Sequence, residues 1–449
     1  MVVVLCITMS SKLNSINLIL KSLLSSNNVS REEILNFQNK QLRCLVSHAY
    51  NNVPYYRGLF DESGIKPNDI KSIVELPLIP ITSKKDLQSL PTEDLVSRTI
   101  NPQKLIEHRT SGSSGEPFTI RHTWLEERIN GAYRLRALRD FGLRFTDKQI
   151  SIGLVRPIHP NDYSLSIKIL QRLGFRRKVK VSCLLPPEEI VRRLRELNPD
   201  VLSGFSGVMS RISQVVNATG RKGINPRFIT VGAEVLTPLM RNHIFEAFAV
   251  PVFETYGSHE INLIAWECKV TGELHICDDS VIVEVLKNGH PVGIGERGEV
   301  VATNLHAYSM PFIRYKLGDI VTKGFETCQC GKPFSTIRNI QGRMLDFFKL
   351  PGGRIIHPYE ITTPNVTRTS WVRQYQLTQG REDLVTLKVV PSKPPTSEEL
   401  NQIKNTILKV LGEGVEFQVD LVPEIEFEPN GKFRVSRSFV NSEYDGIDW

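Results

Sequence analysis

Between Val201 and Gly257 the chain alternates three short β-rich runs, "VLSGF", "RFITVGAE" and "VPVFETYG", with two helical segments, "SGVMSRISQVVNATG" and "LTPLMRNHIFEAFA". Strands that alternate with helices in this way predict an α/β layer with a parallel sheet. From Val281 onward "VIVEVL", "GEVVATN" and "FIRYKLGDIV" follow one another without helices and predict an added β-rich layer. Helices open the chain. Ser30 with Glu33 forms a capping-box pattern, and Ile34, Phe37, Leu42, Leu45, Val46 and Ala49 then recur at helical spacing. Thr123 with Glu126 repeats that signature before "LEERINGAYRLRALRDFG". Near Arg343 the stretch "GRMLDFFKLPGGRIIHP" carries adjacent glycines and flanking prolines, the composition of a linker. Beyond it a β-β-α-β order, with a helix capped by Thr396, predicts a small second domain. The expected architecture is therefore α/β: a large N-terminal domain of mixed and parallel sheets with helices, residues 1–343, plus a small mobile α+β C-terminal domain, residues 344–449.

Composition narrows the class of function. Hydrophobic residues at 40% and charged residues at 23% are those of an ordinary globular protein. The early apolar run "MVVVLCI" spans seven residues, far below the ~20 that cross a bilayer. No membrane span is expected, a cytoplasmic location is, and Met9 competes with Met1 as the start. A formal charge of +8 suits nucleic acid or an anionic small substrate. Lysines and arginines are scattered, which favours the small substrate and no nucleic acid. Seven cysteines are too few and odd in number for a disulfide scaffold.

The stretch "TSGSSGEPF", Thr110 to Phe118, places two glycines among hydroxyl residues. Such a loop can cradle phosphate oxygens, although it lacks the G-K-[ST] ending of a Walker A loop. Alone, it reads better as a surface linker. Four further motifs follow in order: "ETYGSHE" (254–260), "YKLGD" (315–319), "QGRMLD" (341–346) and "PNGKFR" (429–434). Together these five resemble the adenylate-forming superfamily of acyl-activating ligases, within it the phenylacetate-coenzyme A ligase branch and its capsule-biosynthesis-like members. "LVSHAYNNVPYYRGLF", "LPLIPITSKKDL" and the "GAE" of Gly232–Glu234 look like the same branch.

The resemblance implies a reaction and a site. A carboxylic acid would be joined to the α-phosphate of ATP, releasing pyrophosphate, and the acyl group then passed to coenzyme A with release of AMP. Thr110, Ser111, Gly112, Ser113, Ser114 and Gly115 would hold the distal phosphates. Glu260 would hold Mg²⁺, a cation that prefers oxygen ligands; the competing account is a solvated surface glutamate. Asp319 would accept hydrogen bonds from the ribose. Gly232, Ala233, Glu234, Thr255, Tyr256 and Gly257 would complete the nucleotide site. Lys432 would stabilise charge developing between carboxylate and phosphate, where the alternative is a plain β-turn with an exposed lysine. Arg343 would contact the nucleotide and help orient the closed form. Trp124, Asn130 and Tyr133 could reach an acyl pocket or serve as core. Two departures stand out. Glu116 sits where many members carry lysine, and Leu345 replaces an aspartate, leaving Asp346 alone.

Cys268, His275, Cys277, Cys328 and Cys330 offer thiolate and imidazole donors suited to tetrahedral zinc. The set Cys268, His275, Cys328 and Cys330 is expected, matching a pattern of the resembled branch; Cys277 shares a strand face with His275 and stays open as a ligand. A closed set would be a structural clip, and buried free cysteines are the competing account. The expected cofactors are ATP, Mg²⁺, structural Zn²⁺ and coenzyme A; the partners are a small carboxylic acid and an acyl acceptor, with a homodimer left open. Two other functions compete: transfer to an amine, sugar or carrier thiol in polysaccharide or natural-product biosynthesis, and a non-catalytic nucleotide- or nucleic-acid-binding relic.

Overall fold

The computed structural model describes residues 29–109, 118–155, 177–343, 347–366 and 369–440; of residues 343, 359, 363 and 364 it describes the backbone alone. The chain groups into two compact units, one of residues 1–144, 253–317 and 321–340, the other of 145–252, 318–320 and 341–449.

The first unit begins with the helix Arg31–Asn52, where Ser30 and Glu33 close the expected reciprocal cap. Its apolar face, Leu42, Leu45, Val46 and Ala49, packs with Tyr56 and Phe60 of the helix Pro54–Glu62 and with Leu305 and Ile313. Each such aliphatic side chain contributes ~1.5–3 kcal/mol through burial, so this helix is held by its packing. A hairpin of Ile106–Arg109 and Thr119–His122 brackets residues 110–117. The helix Trp124–Asp140 follows, capped by Thr123 and Glu126 as expected. Antiparallel strands Val252–Ser258, Asn262–Glu267 and Leu274–Ile276 lead to a second antiparallel pair, Val281–Lys287 with Arg297–Asn304. The helix-free layer expected after Val281 is thus present.

In the second unit Gln149–Gly153 lies between Lys178–Ser182 and Val201–Phe205, and Phe228–Gly232 flanks the latter, all parallel. The helices Pro187–Leu197, Ser206–Thr219 and Pro238–Phe248 connect them and bury Ile190, Ile212 and Ile244 among Ile150, Leu202 and Ile229. The alternation of apolar runs therefore gives the parallel layer it predicts. Residues beyond 347 carry their own sheet, ordered Glu416–Leu421, Leu384–Pro391, Val372–Arg381 and Ser436–Ser438. Against it the Thr396-capped helix Ser397–Leu411 buries Ile403, Ile407 and Leu411. The last strand adds to the expected β-β-α-β order. Three polar residues between Val435 and Phe439 give a weak strand signal, and pairing with Leu377–Gln379 makes them a strand. Among the described residues no helix is long and apolar enough to cross a membrane.

Candidate active site

Lys432 rides on a turn closed by the Gly431 amide donating to the Glu428 carbonyl at 2.8 Å, with the Glu428 amide donating to the Lys432 carbonyl at 2.8 Å. Gly431 has φ +74, and a Cβ there would lie 2.6 Å from the Cys183 Sγ, so the position is both left-handed and tightly seated. The Lys432 ammonium sits 5.7 Å from the centre of the Phe205 ring, within cation–π range. Beside it, Glu234 follows the strand Phe228–Gly232, reached through Ala233 at φ 64. Its carboxylate accepts from the Gly207 amide at 2.7 Å and from the Phe433 amide at 2.6 Å. Burial pushes the Glu234 carboxyl up to about 7, with the two backbone hydrogen bonds and the Lys432 charge working the other way. These residues all belong to the second unit. Asp319 also belongs there; it is half-buried and follows Gly318 at φ +75.

In the first unit Thr255, Tyr256 and Gly257 lie on the strand Val252–Ser258. A Cβ at Gly257 would lie 2.3 Å from the Asn262 carbonyl oxygen, so only glycine fits this irregular pairing. The turn that follows carries Glu260, which is 8% exposed. The Tyr315 hydroxyl donates to its Oε1 at 3.4 Å, and Asn304 Nδ2 donates to its backbone carbonyl at 3.2 Å. A buried carboxylate oxygen is the donor type that Mg²⁺ takes.

Thr110, Ser111, Gly112, Ser113, Ser114 and Gly115, with Glu116, lie outside the described residues, as do Leu345 and Asp346. Arg343 closes the strand Thr336–Arg343, and its side chain is outside the description. The flanks of residues 110–117 are described. His108 Nε2 meets Glu127 Oε1 at 2.8 Å, and the rings of His122 and His259 centre 5.7 and 6.0 Å from that of His108. Burial works to raise the Glu127 carboxyl, yet His108 brings it below its ordinary value; burial pushes His122 down. Trp124 is 60% exposed with the Arg128 guanidinium 5.0 Å from its ring. Asn130 is buried, its carbonyl accepting from Asn262 Nδ2 at 3.3 Å. Tyr133 is buried, its hydroxyl donating to the Asp279 carbonyl at 2.9 Å and lying 2.9 Å from His306 Nε2.

The cysteines sort into two groups. One ligand atom from each of Cys268, His275, Cys328 and Cys330 lies within 4.8 Å of the others. The Cys268 and Cys328 sulfurs are 3.8 Å apart, and His275 Nε2 is 3.3 Å from Cys330 Sγ. A tetrahedral zinc with ~2.3 Å bonds to sulfur spaces its sulfurs by about 3.8 Å, so the donors and their spacing fit that ion. Burial pushes His275 down to about 4, leaving the imidazole neutral. Cys277 turns away. Arg136 Nη2 donates to its sulfur at 2.8 Å, and the same guanidinium pairs with Asp279 at 2.5 Å and stacks 4.9 Å from the rings of Trp266 and Phe334.

Sequence reasoning missed three of these arrangements. The Arg136–Asp279 pair and the use of the Glu234 carboxylate have no local signal. Glu126 had a partial one, its place in a capping box, but its second oxygen also accepts from the Tyr308 and Ser309 amides, each at 2.8 Å.

Comparison with known proteins places this geometry among relatives. Residues 349–438 match the CapK C-terminal domain family. The chain is similar to phenylacetate-coenzyme A ligase of Thermus thermophilus, 26% identical over 391 residues that cover 81% of this chain and 83% of the relative. It is also similar to protein CapK of Staphylococcus aureus, 23% identical over 90% of this chain and 88% of that one. In structure it resembles 2-hydroxyisobutyryl-CoA ligase in complex with 2-HIB-AMP, with a TM-score of 0.74, 22% identity, and coverage of 92% and 90% of the two chains. The fold is that of the adenylate-forming CoA ligases.

Proposed function

We propose that this relative of the phenylacetate-coenzyme A ligases and of CapK activates a carboxylic acid with ATP and passes the acyl group to coenzyme A. The observation that supports this reading most is the meeting, within one compact unit, of two segments far apart in sequence: the Gly232–Glu234 segment and the Lys432 turn. The resemblance assigns the first to the nucleotide and the second to the reacting atoms. In the first half-reaction a carboxylate oxygen attacks the α-phosphorus and pyrophosphate leaves. Two anions must approach, so a fixed cation between them lowers the barrier more than it strengthens ground-state binding. Lys432 is that cation, Gly232 and Ala233 border adenine through their backbone, and Asp319 receives the ribose hydroxyls. Glu260 holds Mg²⁺, which when bound neutralises phosphate charge. Residues 110–115 receive the distal phosphates, and Arg343 contacts the nucleotide. Cys268, His275, Cys328 and Cys330 hold zinc as a structural clip with no open coordination position. Residues 344–449 act as a mobile domain that alternates between the two half-reactions.

A second reading is favoured by the match of residues 349–438 to the CapK C-terminal domain. In it the adenylate is the same and the acceptor is an amine, a sugar or a carrier thiol. The test is pyrophosphate release with ATP, Mg²⁺ and a panel of aryl and fatty acids, hydroxylamine trapping any acyl-adenylate. Acid-dependent release is expected, falling ~10²–10³-fold in Lys432→Ala. Coenzyme A that accelerates AMP release supports the first acceptor; adenylate formation indifferent to it supports the second. A Lys432→Ala protein that keeps the full rate would sink both.

A further inference from the structure

We infer that Glu234 is a positioning residue for Lys432: its carboxylate fastens the catalytic turn to the N-terminus of the helix Ser206–Thr219. This assignment rests on the role of Lys432 proposed above and gives the glutamate of the "GAE" motif a task other than touching nucleotide.

The helix Ser206–Thr219 begins at an uncapped end. Its N-cap residue Phe205 makes no side-chain cap and its first turn holds no acidic residue. The first four amides of a helix lack partners inside it, and their partial positive charge favours an anion. Glu234 supplies that anion from another segment, Oε2 accepting from the Gly207 amide at 2.7 Å. The other oxygen, Oε1, accepts from the Phe433 amide at 2.6 Å, one residue after the lysine. One carboxylate thus ties two backbone segments with charge-assisted hydrogen bonds, the stronger kind. Packing agrees with this fastening. A Cβ at Gly207 would lie 2.4 Å from the Phe433 Cβ, and one at Gly431 2.6 Å from the Cys183 sulfur. The turn is therefore seated on both sides of the lysine, and the ammonium is placed over the Phe205 ring. A misplacement of ~1 Å in such a group can cost ~10²-fold in rate.

The tie carries a cost that makes it testable. The other titratable groups facing this carboxylate are Lys432 on the turn and Cys183, whose thiol burial pushes up. Burial moves the Glu234 carboxyl from 4.5 up to about 7, so the folded state binds its proton more tightly than the unfolded chain does. Its contribution to stability is then full below 4.5 and is lost as pH rises through about 7. The ionised form that accepts both amides is the form the fold tolerates less.

The experiment measures acid-dependent pyrophosphate release and thermal unfolding for wild type, Glu234→Gln, Glu234→Ala and Lys432→Ala. Glu234→Gln keeps the shape and one acceptor but puts an N–H₂ where the second amide needs an oxygen. We expect its kcat to fall about tenfold and that of Glu234→Ala ~10–100-fold, with KM for ATP within about threefold of wild type in both. Wild-type kcat should rise through pH 7, and this rise should vanish in Glu234→Gln. Its melting temperature at pH 8 should equal or exceed that of wild type, whereas a merely structural glutamate would lose stability and activity together. A wild-type rate and pH profile in Glu234→Gln, with Lys432→Ala inactive, overturns the tie and leaves the reaction standing. A fully active Lys432→Ala overturns both. Should Glu234→Ala fail to fold, Glu234→Gln alone decides.

Discussion

Two places in the molecule gather residues from distant segments, and they are fastened in different ways. Around Cys268, His275, Cys328 and Cys330 everything is doubled. Trp266 packs edge-on to the His275 ring at 5.2 Å and donates through its indole N–H to Asp140 at 2.9 Å, while Lys332 pairs with the same aspartate. Arg136 underlies the same aromatic group and pairs through both Nη atoms with the two carboxylate oxygens of Asp279. The Lys432 turn has one hydrogen bond to the Glu234 carboxylate, whose other oxygen takes the Gly207 amide of the neighbouring helix, and two close glycine contacts. The first arrangement suits a joint that never opens. The second suits one that holds a charge in place with few ties.

Three substitutions test that contrast, beginning where the effect should be greatest. Cys328→Ser removes a thiolate from the four-donor set, and the stability attached to the metal, on the order of 5 kcal/mol or more, should go with it. Elemental analysis should find zinc in the wild type and not in the variant, and chelator should lower only the wild-type melting temperature. Metal-free wild-type protein with an unchanged melt would reduce the cluster to buried thiols. Arg136→Met keeps the bulk against Trp266 but leaves Asp279 buried and unpaired, a loss of ~3–5 kcal/mol measurable by denaturant unfolding. A loss below ~1 kcal/mol would mean that the joint does not depend on this pair. Gly431→Ala should lower stability by only ~1–2 kcal/mol, the strain of an alanine at a left-handed position, while slowing pyrophosphate release ~10–100-fold, because the turn must shift off Cys183 and the lysine with it. A variant that melts early yet turns over normally would reverse the contrast between the two regions.

What the sequence allowed one to read follows the range of the interaction. The caps at Ser30, Thr123 and Thr396 involve partners three residues away, and each is found where its pattern stands. Part of the parallel layer is equally legible, because Val201–Phe205 and Phe228–Gly232 are apolar runs and the helices Ser206–Thr219 and Pro238–Phe248 show their own period, whereas Gln149–Gly153 and Lys178–Ser182, which buries only Val181, give no such run. Cys277 could not be separated from His275 by spacing, since both fall at alternate positions. The strand Leu274–Ile276 ends before Cys277, and its sulfur meets Arg136, a residue from another helix. Glu234 and Glu126 failed to show for the same reason: an acceptor gives no local sign of which distant amide it will meet. Motif order located the lysine turn and the glycine-bearing strand ends, but not what holds them.

Glu126 carries a consequence for variation at its position. Its Oε2 takes the Thr123 amide at 2.6 Å and the Thr123 and Ser309 hydroxyls at 2.8 and 2.5 Å, while Oε1 takes the Tyr308 and Ser309 amides. A carboxylate has about four lone-pair sites, and five donors converge on them. Glutamine would bring an N–H₂ against N–H donors, aspartate would stop one methylene short, and every other side chain has fewer acceptors or none. Codons drifting at this position meet an alphabet one letter wide.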